Sequence, residues 1–366
     1  MRSTAKSHGL CGLGLVAKWF MKLPPPPPQP ILPNDIIYYI LLLLPVKSLA
    51  QCRCVCREWN NLLTGSNFLK NHLDYARRRL IVSSFGSLMS MDLEARGDFV
   101  VTNDCDFPWN MTAHFITGSC NGLLCLLADY SLFLWNPSTR QCKQLPPPPS
   151  YCFVRYGMFY GFGYDKVIDG YYNYKVVRGE NNHAFRHGNK SKVEVYTRKT
   201  NSWKRIQDLP YYCMFQERGT FINGSLHWLA IRHSDFCAII ASLDLAKEEF
   251  REILLPEFEL QSVSLELGTL NGMLSAMYKN FNGWSVYAMK EYGVPTSWII
   301  LITIPSFVWT RVKMPFYLMK NGELVLQVRD DKLLMYDPRK NTFKELIDTK
   351  SGIESTTYYV ESLESP

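Results

Sequence analysis

Residues 31–46 read ILPNDIIYYILLLLPV, and from Ile36 to Val46 no position is charged. Crossing a bilayer takes ~20 apolar residues, so this run of eleven, interrupted by Pro45, is too short. Wound as a helix, it is apolar all round. Ile36, Ile40 and Leu44 lie on one side, Ile37, Leu41 and Leu44 on another, and Tyr39 and Leu43 on a third. A helix with no polar face is buried on every side, so the rest of the chain or a partner must cover it. Helical patterning runs from about residue 33 to about 75 and ends before Arg77-Arg78-Arg79.

Beyond residue 79 the period changes. Short apolar or aromatic runs alternate with Gly, Asn, Asp and Pro, the pattern of many short strands. Asn-Gly or Asp-Gly recurs at 121, 169, 223, 271 and 321, at intervals of 48, 54, 48 and 50 residues. Such pairs favour tight turns because both residues tolerate positive φ. NGLLCLLADYSLFLWNPSTRQCKQL from Asn121 matches NGELVLQVRDDKLLMYDPRKNTFKEL from Asn321 in layout: strand, turn, strand, aromatic-x-Pro. VYTRKTNSWKRI and SLDLAKEEFREI repeat the closing phrase. A unit of this length holding four strands is a propeller blade, as in kelch or WD40 repeats. Residues 80–120 supply one more, giving about six, and YYVESL at 358–363 reads as a final strand that closes the ring and leaves no edge exposed.

Composition adds bounds. Of 366 residues 47% are apolar and 20% charged, so most of the chain folds into packed core. The formal charge of +7 is mild and no run of five basic residues occurs, which argues against nucleic-acid binding. Eleven cysteines, an odd number without regular spacing, suit a reducing compartment, the cytoplasm or nucleus, not a disulfide framework. Gly9–Ala17 is a short, Gly-rich apolar stretch with no small-x-small cleavage site after it. The sequons at Asn110, Asn189 and Asn223 would matter only in a secreted chain. Pro24–Pro28 forms a polyproline spacer. Residues 1–30 therefore read as a disordered leader, 31–76 as a helical module and 77–366 as a β-propeller, a multidomain α plus all-β chain.

The helical module carries an ordered set of motifs: Leu32-Pro33 with Asp35, Ile40-Leu41, Leu44-Pro45-Val46-Lys47-Ser48-Leu49, Arg53-Cys54-Val55-Cys56-Arg57, Trp59, and Phe68 with His72-Leu73. It resembles an F-box, of the plant class in which an F-box-associated, kelch-like propeller follows; NGLLCL, WNPSTR and YVESL are similar to that associated domain. The resemblance implies a three-helix module that docks a Skp-type linker protein and, through it, a cullin–RING ubiquitin ligase. It implies that Leu32, Pro33, Ile36, Ile40, Leu44, Pro45, Leu49, Val55, Cys56 and Trp59 meet the linker. Two positions depart from the family: Tyr39 stands where Glu is usual and Leu43 where Arg is usual. The double glycine of true kelch repeats is missing.

Other candidate chemistry is thin. Cys52, Cys54 and Cys56 are two apart and lack the second ligand pair of a zinc site, so they read as buried or interface thiols. His183 and His187 lie in a polar Asn- and Gly-rich stretch that reads as a solvated loop. No nucleophile elbow, P-loop or dinucleotide fingerprint occurs, and no metal or cofactor is expected. The target-binding surface should lie on one propeller face, where loops gather. Tyr-rich stretches give rigid contact area, so Tyr151, Phe153, Tyr156 and Phe159, with Tyr211, Tyr212 and Phe215, are candidates, and the loop 179–192 is a third. The expected function is that of a non-catalytic substrate-recognition adaptor of a Skp–cullin–F-box ubiquitin ligase that holds an unknown target protein, with no nucleic acid or membrane partner. A stand-alone propeller acting as a glycan-binding protein or hydrolase beside a vestigial F-box is the alternative. A non-degrading scaffold is the third reading.

Overall fold

The computed structural model describes residues 32–84, 87–92, 101–102, 107, 115–150, 157–166, 171–181, 190–213, 218–256, 265–280, 283–305, 312, 317–328, 331–349 and 352–366. The first helix, α1 (Asn34–Leu42), carries Asp35 in its first turn, where a carboxylate favours the helix dipole. The carbonyl of Pro33 accepts its first two backbone bonds, from Ile36 and Ile37. It is not covered on all sides. Leu41 and Leu42 are buried, but Ile36, Tyr39 and Ile40 stay exposed.

Three more helices follow, α2 (Val46–Cys52), α3 (Arg57–Thr64) and α4 (Ser66–Tyr75), so the helical region has four where three were expected. Gly65 makes the difference. Its extended backbone (φ −67°, ψ 138°) stops α3 after Thr64 and caps the start of α4. Pro45 precedes α2 in extended conformation, and its carbonyl accepts the amides of Ser48 and Leu49. Val46, Leu49, Leu63 and Phe68 are buried here. His72 stacks on Phe68, and its ring Nε2 bonds the Leu44 carbonyl at 3.2 Å. Burial holds this imidazole below its ordinary pKa, so it donates as the neutral ring.

Residues 78–360 form six antiparallel sheets, the expected blades. Blade II is the simplest: Phe115–Cys120, Leu123–Ala128, Ser131–Asn136 and Gln141–Gln144 pair in chain order. Blade III holds Met158–Lys166, Tyr172–Glu180, Lys192–Thr197 and Ser202–Arg205. In blade IV, Thr220–Ile222 and Tyr211–Cys213 both pair with Ser225–Arg232, and Ala238–Asp244 and Glu249–Ile253 follow. Blade V holds Leu265–Leu270, Met273–Asn280, Gly283–Met289 and Trp298–Pro305. Blade VI holds Tyr317–Leu318, Leu324–Val328, Lys332–Asp337 and Thr342–Asp348. Blade I is composite: Ile353–Val360, the last strand of the chain, pairs antiparallel with Arg78–Ser84, which pairs with Ser87–Asp92 and then Val101–Thr102.

Apolar side chains from neighbouring blades interdigitate at every seam. Leu124 and Trp135 meet Ile81 and Tyr359 between I and II, and Leu134 meets Phe162 between II and III. Val195 meets Trp228 between III and IV, and Ile240 meets Leu274 between IV and V. Val286 meets Leu326 between V and VI. The sixth cluster, with Val82 and Ile353 against Val325 and Leu333, joins VI back to I, so the ring is closed. Middle strands buried on both faces explain the unbroken apolar runs LLCLLA and LVLQV.

The repeated motifs have fixed places. Asn121-Gly122, Asn223-Gly224 and Asn271-Gly272 each turn from the first strand to the second with both residues at positive φ, the type I′ hairpin. The third-to-fourth hairpin ends on a left-handed residue in four blades: Arg140, Asn201, Glu248 and Asn341. In blades II, IV and VI an Asn or Asp at the end of the third strand caps that turn. Asn136 Oδ1 accepts from Ser138 N, Asp244 Oδ1 from Ala246 N, and Asp337 Oδ1 from Arg339 N. This Asx-turn is the physical content of the WNP, LDL and YDP phrases.

Past Val360 the chain crosses blade II. Asn136, fully buried, donates through Nδ2 to the carbonyls of Ser362 (3.0 Å) and Glu364 (2.7 Å). Leu363 is buried, and Arg198 meets Glu364 at 2.9 Å. Gly122 admits this tail: a Cβ there would lie 2.0 Å from Ser362 Oγ.

Candidate linker and target surfaces

On α1 and the two residues before it, Leu32, Pro33, Ile36 and Ile40 are exposed. Leu32 shows 52% of its surface and Ile40 47%, values that an apolar core residue does not show. Tyr39, at the position where the family resemblance leads one to expect Glu, is also exposed.

Between residues 42 and 75, Leu43, Pro45, Val55 and Cys56 are exposed and Leu44 and Trp59 are half-buried. Leu49 is the correction among the linker candidates. It has no exposed surface and sits in the core, so it can support a contact only from beneath. Of the three cysteines read as buried or interface thiols, Cys54 and Cys56 are exposed and Cys52 is half-buried, so none of them is core. Arg53–Val55 form a turn, and Cys56 caps α3, its Sγ accepting from Trp59 N at 3.5 Å. That bond, absent from any side-chain periodicity, ties the Trp59 backbone to the CRCVC turn.

On the propeller, Tyr151, Phe153, Tyr156 and Phe215 lie outside the described residues, as do His183 and His187. Phe159 is a correction. It is buried against Trp228, centroids 5.5 Å apart, and lies over Gly179, where a Cβ would come within 1.9 Å of its ring. Glycine on the neighbouring strand opens space for the ring, so Phe159 is blade core. Tyr211 and Tyr212 are half-buried.

The three candidate stretches nevertheless converge. Asn181 N donates to Gly157 O at 2.8 Å, joining the end of the first Tyr-rich stretch to the start of the 182–189 loop. The Asn181 side chain then pairs with the Cys213 backbone, Nδ2 to Cys213 O at 3.0 Å and Cys213 N to Oδ1 at 3.1 Å. Ser191 Oγ donates to Asn181 Oδ1 and to Tyr211 O, both at 3.1 Å. Residue 150 is fixed as well. Glu194 accepts from Ser150 N at 3.0 Å while pairing with Arg178 at 2.9 Å, and both ionic side chains are under 10% exposed. A buried pair costs desolvation; here the pair also satisfies the Ser150 backbone at the root of the loop. The described ends of the three stretches, Gly157, Asn181 and Cys213, therefore meet at the blade III–IV seam, on the face opposite the Asn-Gly turns. Tyr211 borders Arg232 and Glu252, and burial, with the Glu252 bond, pushes its phenol up to about 12.

A second polar cluster, in blade IV, is closed. Ser242 Oγ lies 3.1 Å from His227 Nε2, but Tyr292 OH contacts the same nitrogen at 2.7 Å, and His227 Nδ1 faces the Thr220 carbonyl. His227 has no exposed surface, and burial holds its pKa at about 4. A neutral imidazole sealed among partners is structural. Among the described residues no group of three or more His, Cys, Asp or Glu is placed to hold a metal, and no helix is long and apolar enough to cross a membrane.

Comparison with known proteins agrees with this layout. Residues 30–71 match the F-box domain family and residues 76–359 the F-box associated beta propeller domain family. F-box protein CPR1 of Arabidopsis thaliana is 30% identical over 348 residues, covering 83% of this chain and 81% of that protein. F-box protein At3g07870 is 29% identical, covering 86% and 87%, and F-box/kelch-repeat protein At3g23880 is 29% identical, covering 91% and 95%, both also from Arabidopsis thaliana. Helices that leave apolar residues open, six blades closed by the last strand, and matches along nearly the whole chain lead to one conclusion: the chain belongs to the plant F-box proteins that carry a C-terminal F-box-associated β-propeller.

Proposed function

We propose that this chain is a substrate-recognition adaptor of a Skp–cullin–F-box ubiquitin ligase, its F-box docking a Skp-type linker and its propeller holding a target protein. The observation that carries the reading is the distribution of uncovered apolar surface. Of fourteen exposed large apolar residues among the described residues, six (Leu32, Ile36, Tyr39, Ile40, Leu43 and Val55) fall within residues 30–71, the F-box match. Concentrated apolar exposure marks an interaction site. The blade III–IV seam around Gly157, Asn181 and Cys213 is the proposed target surface, with Tyr212 beside it. The adaptor makes and breaks no bonds. It raises the effective concentration of target lysines near a charged ubiquitin carrier. Its place of action is the cytoplasm or nucleus, where exposed thiols such as Cys54, Cys56 and Cys237 stay reduced.

The test is capture of a purified Skp-type linker by the full chain beside an Ile36→Glu/Ile40→Glu variant. Both positions are exposed, so the fold should persist. Loss of at least ~2 kcal/mol in the variant, about thirtyfold, is expected of central interface residues. Equal capture by both, with equal melting curves, removes α1 from the interface. Blocking the ligase should make a bound target accumulate; a captured protein whose level stays constant would favour the scaffold reading.

A further inference from the structure

We infer that the ring-closure seam holds a binding site for a small organic anion with a flat, apolar body. A cavity of about 440 Å³ opens where blades V, VI and I meet on the Asn-Gly face. That size falls in the range of small-molecule sites. Among the described residues its charged lining is of one sign, Arg78 and Lys320. Alternation along the strand explains how Arg78 comes to be there. Its neighbours Arg77 and Arg79 point the other way, to Asp92 (3.8 Å) and Glu361 (3.5 Å).

The lining is also aromatic. Tyr317 and Tyr358 line the cavity with centroids 5.7 Å apart and planes tilted by 54°. Guanidinium and ammonium groups select a carboxylate or phosphate, and tyrosine faces accept a flat apolar group. Tyr358 lies on the closing strand, Arg78 begins the strand that pairs with it, and Tyr317 opens blade VI. A ligand there touches both blade VI and blade I, beside the strand pairing that closes the ring. Arg78 is also three residues past the end of α4, so the site lies at the root of the helical region. It is independent of the proposed linker contact.

The test is calorimetric titration of the full chain with phenyl phosphate and with phenylacetate, beside inorganic phosphate and benzyl alcohol. Saturable binding of either anion is expected, the tighter one naming the acid group. Lys320→Gln, at an exposed position, should weaken it at least tenfold with an unchanged melting curve, and Arg78→Gln should weaken it further. Bound ligand should raise the melting temperature of wild type and not of Lys320→Gln. The inference is overturned by wild-type affinity in both variants, by equal binding of benzyl alcohol, by inorganic phosphate binding as tightly as phenyl phosphate (an adventitious ion only), or by no saturable binding of either organic anion.

Discussion

Replacing Asn136 with Asp separates two functions of one side chain. In blades IV and VI the residue at the end of the third strand is Asp244 or Asp337, and a carboxylate oxygen serves as well as an amide oxygen in capping the turn. In blade II the residue must also donate. Its Nδ2 serves the carbonyls of Ser362 and Glu364, and no aspartate can do that. Asn136→Asp keeps the Ser138 cap but loses two bonds of ~1 kcal/mol each. It also sets a buried carboxylate against two carbonyl oxygens, a penalty of ~1–3 kcal/mol. The sum is ~3–5 kcal/mol, a large share of the ~5–15 kcal/mol that holds a typical domain folded. The Arg198–Glu364 pair adds nothing to this count: burial pushes the Glu364 carboxyl up despite Arg198, so desolvation outweighs the attraction at neutral pH. At ~2–4 °C per kcal/mol for a domain of a few hundred residues, the midpoint should fall by roughly 10 °C in circular dichroism melts. The decisive control is a chain ending at Val360. With no tail to hold, Asn136→Asp should there cost under ~0.5 kcal/mol, an interaction energy read from the double-mutant cycle. An equal penalty in both chains would refute the latch and leave Asn136 as a turn residue only.

Other perturbations should behave as follows. His227 is neutral when folded, its pKa held near 4 against an ordinary 6.5, so the unfolded chain binds the extra proton and stability is lost as pH falls from 6.5 towards 4, by up to ~3 kcal/mol. His227→Gln should abolish this component of an acid titration followed by urea melts; an unchanged acid limb would contradict its burial as a neutral ring. Gly122→Ala and Gly272→Ala both place alanine at positive φ, but only the first drives a Cβ into the tail, while the second meets open space. The second should cost ~1 kcal/mol and the first several times more, and equal melting temperatures would remove the tail contact. Leu49→Ala should destabilise the helical region by ~2–5 kcal/mol as a core truncation, whereas Val55→Ala, exposed, should stay within ~0.5 kcal/mol; hydrogen exchange of α2–α4 distinguishes them.

Repetition made the propeller legible. Asn-Gly pairs at near-equal spacing mark a turn that needs positive φ, and each described pair sits between the first and second strand of its blade. The closing strand was legible in kind but not in place: YYVESL at 358–363 follows a complete blade, and the strand itself runs Ile353–Val360. The reading lost hold where local patterning is silent. Gly65 looks like any loop glycine, and its extended backbone splits α3 from α4. Phe159 belongs to a Tyr-rich stretch, but the glycine that makes room for it is at 179, on another strand. Leu49 shares the apolar texture of its exposed neighbours, and only the three-dimensional packing assigns it inward. The left-handed Arg140 and Glu248 carry no residue signal at all; the hairpin geometry imposes their conformation. For the proposed sites, the convergence of residues 157, 181 and 213 is written in the bonds of Asn181, a single polar residue that no periodicity marks.

The pairing of the last strand with the first has a consequence for synthesis. Ser83 bonds Glu354 across 271 positions of chain, so blade I cannot acquire its innermost strand until the final blade has been made. At ~5–20 residues per second, the ribosome needs tens of seconds to cover that distance. Throughout that time the F-box sequence is already made, and Leu80 and Val82 wait with one strand edge open. On the proposed function, the F-box is thus made well before the propeller surface is complete. A chain cut short before residue 353 would never acquire that surface, so an intact message is a condition for a competent adaptor and not merely for a full-length one.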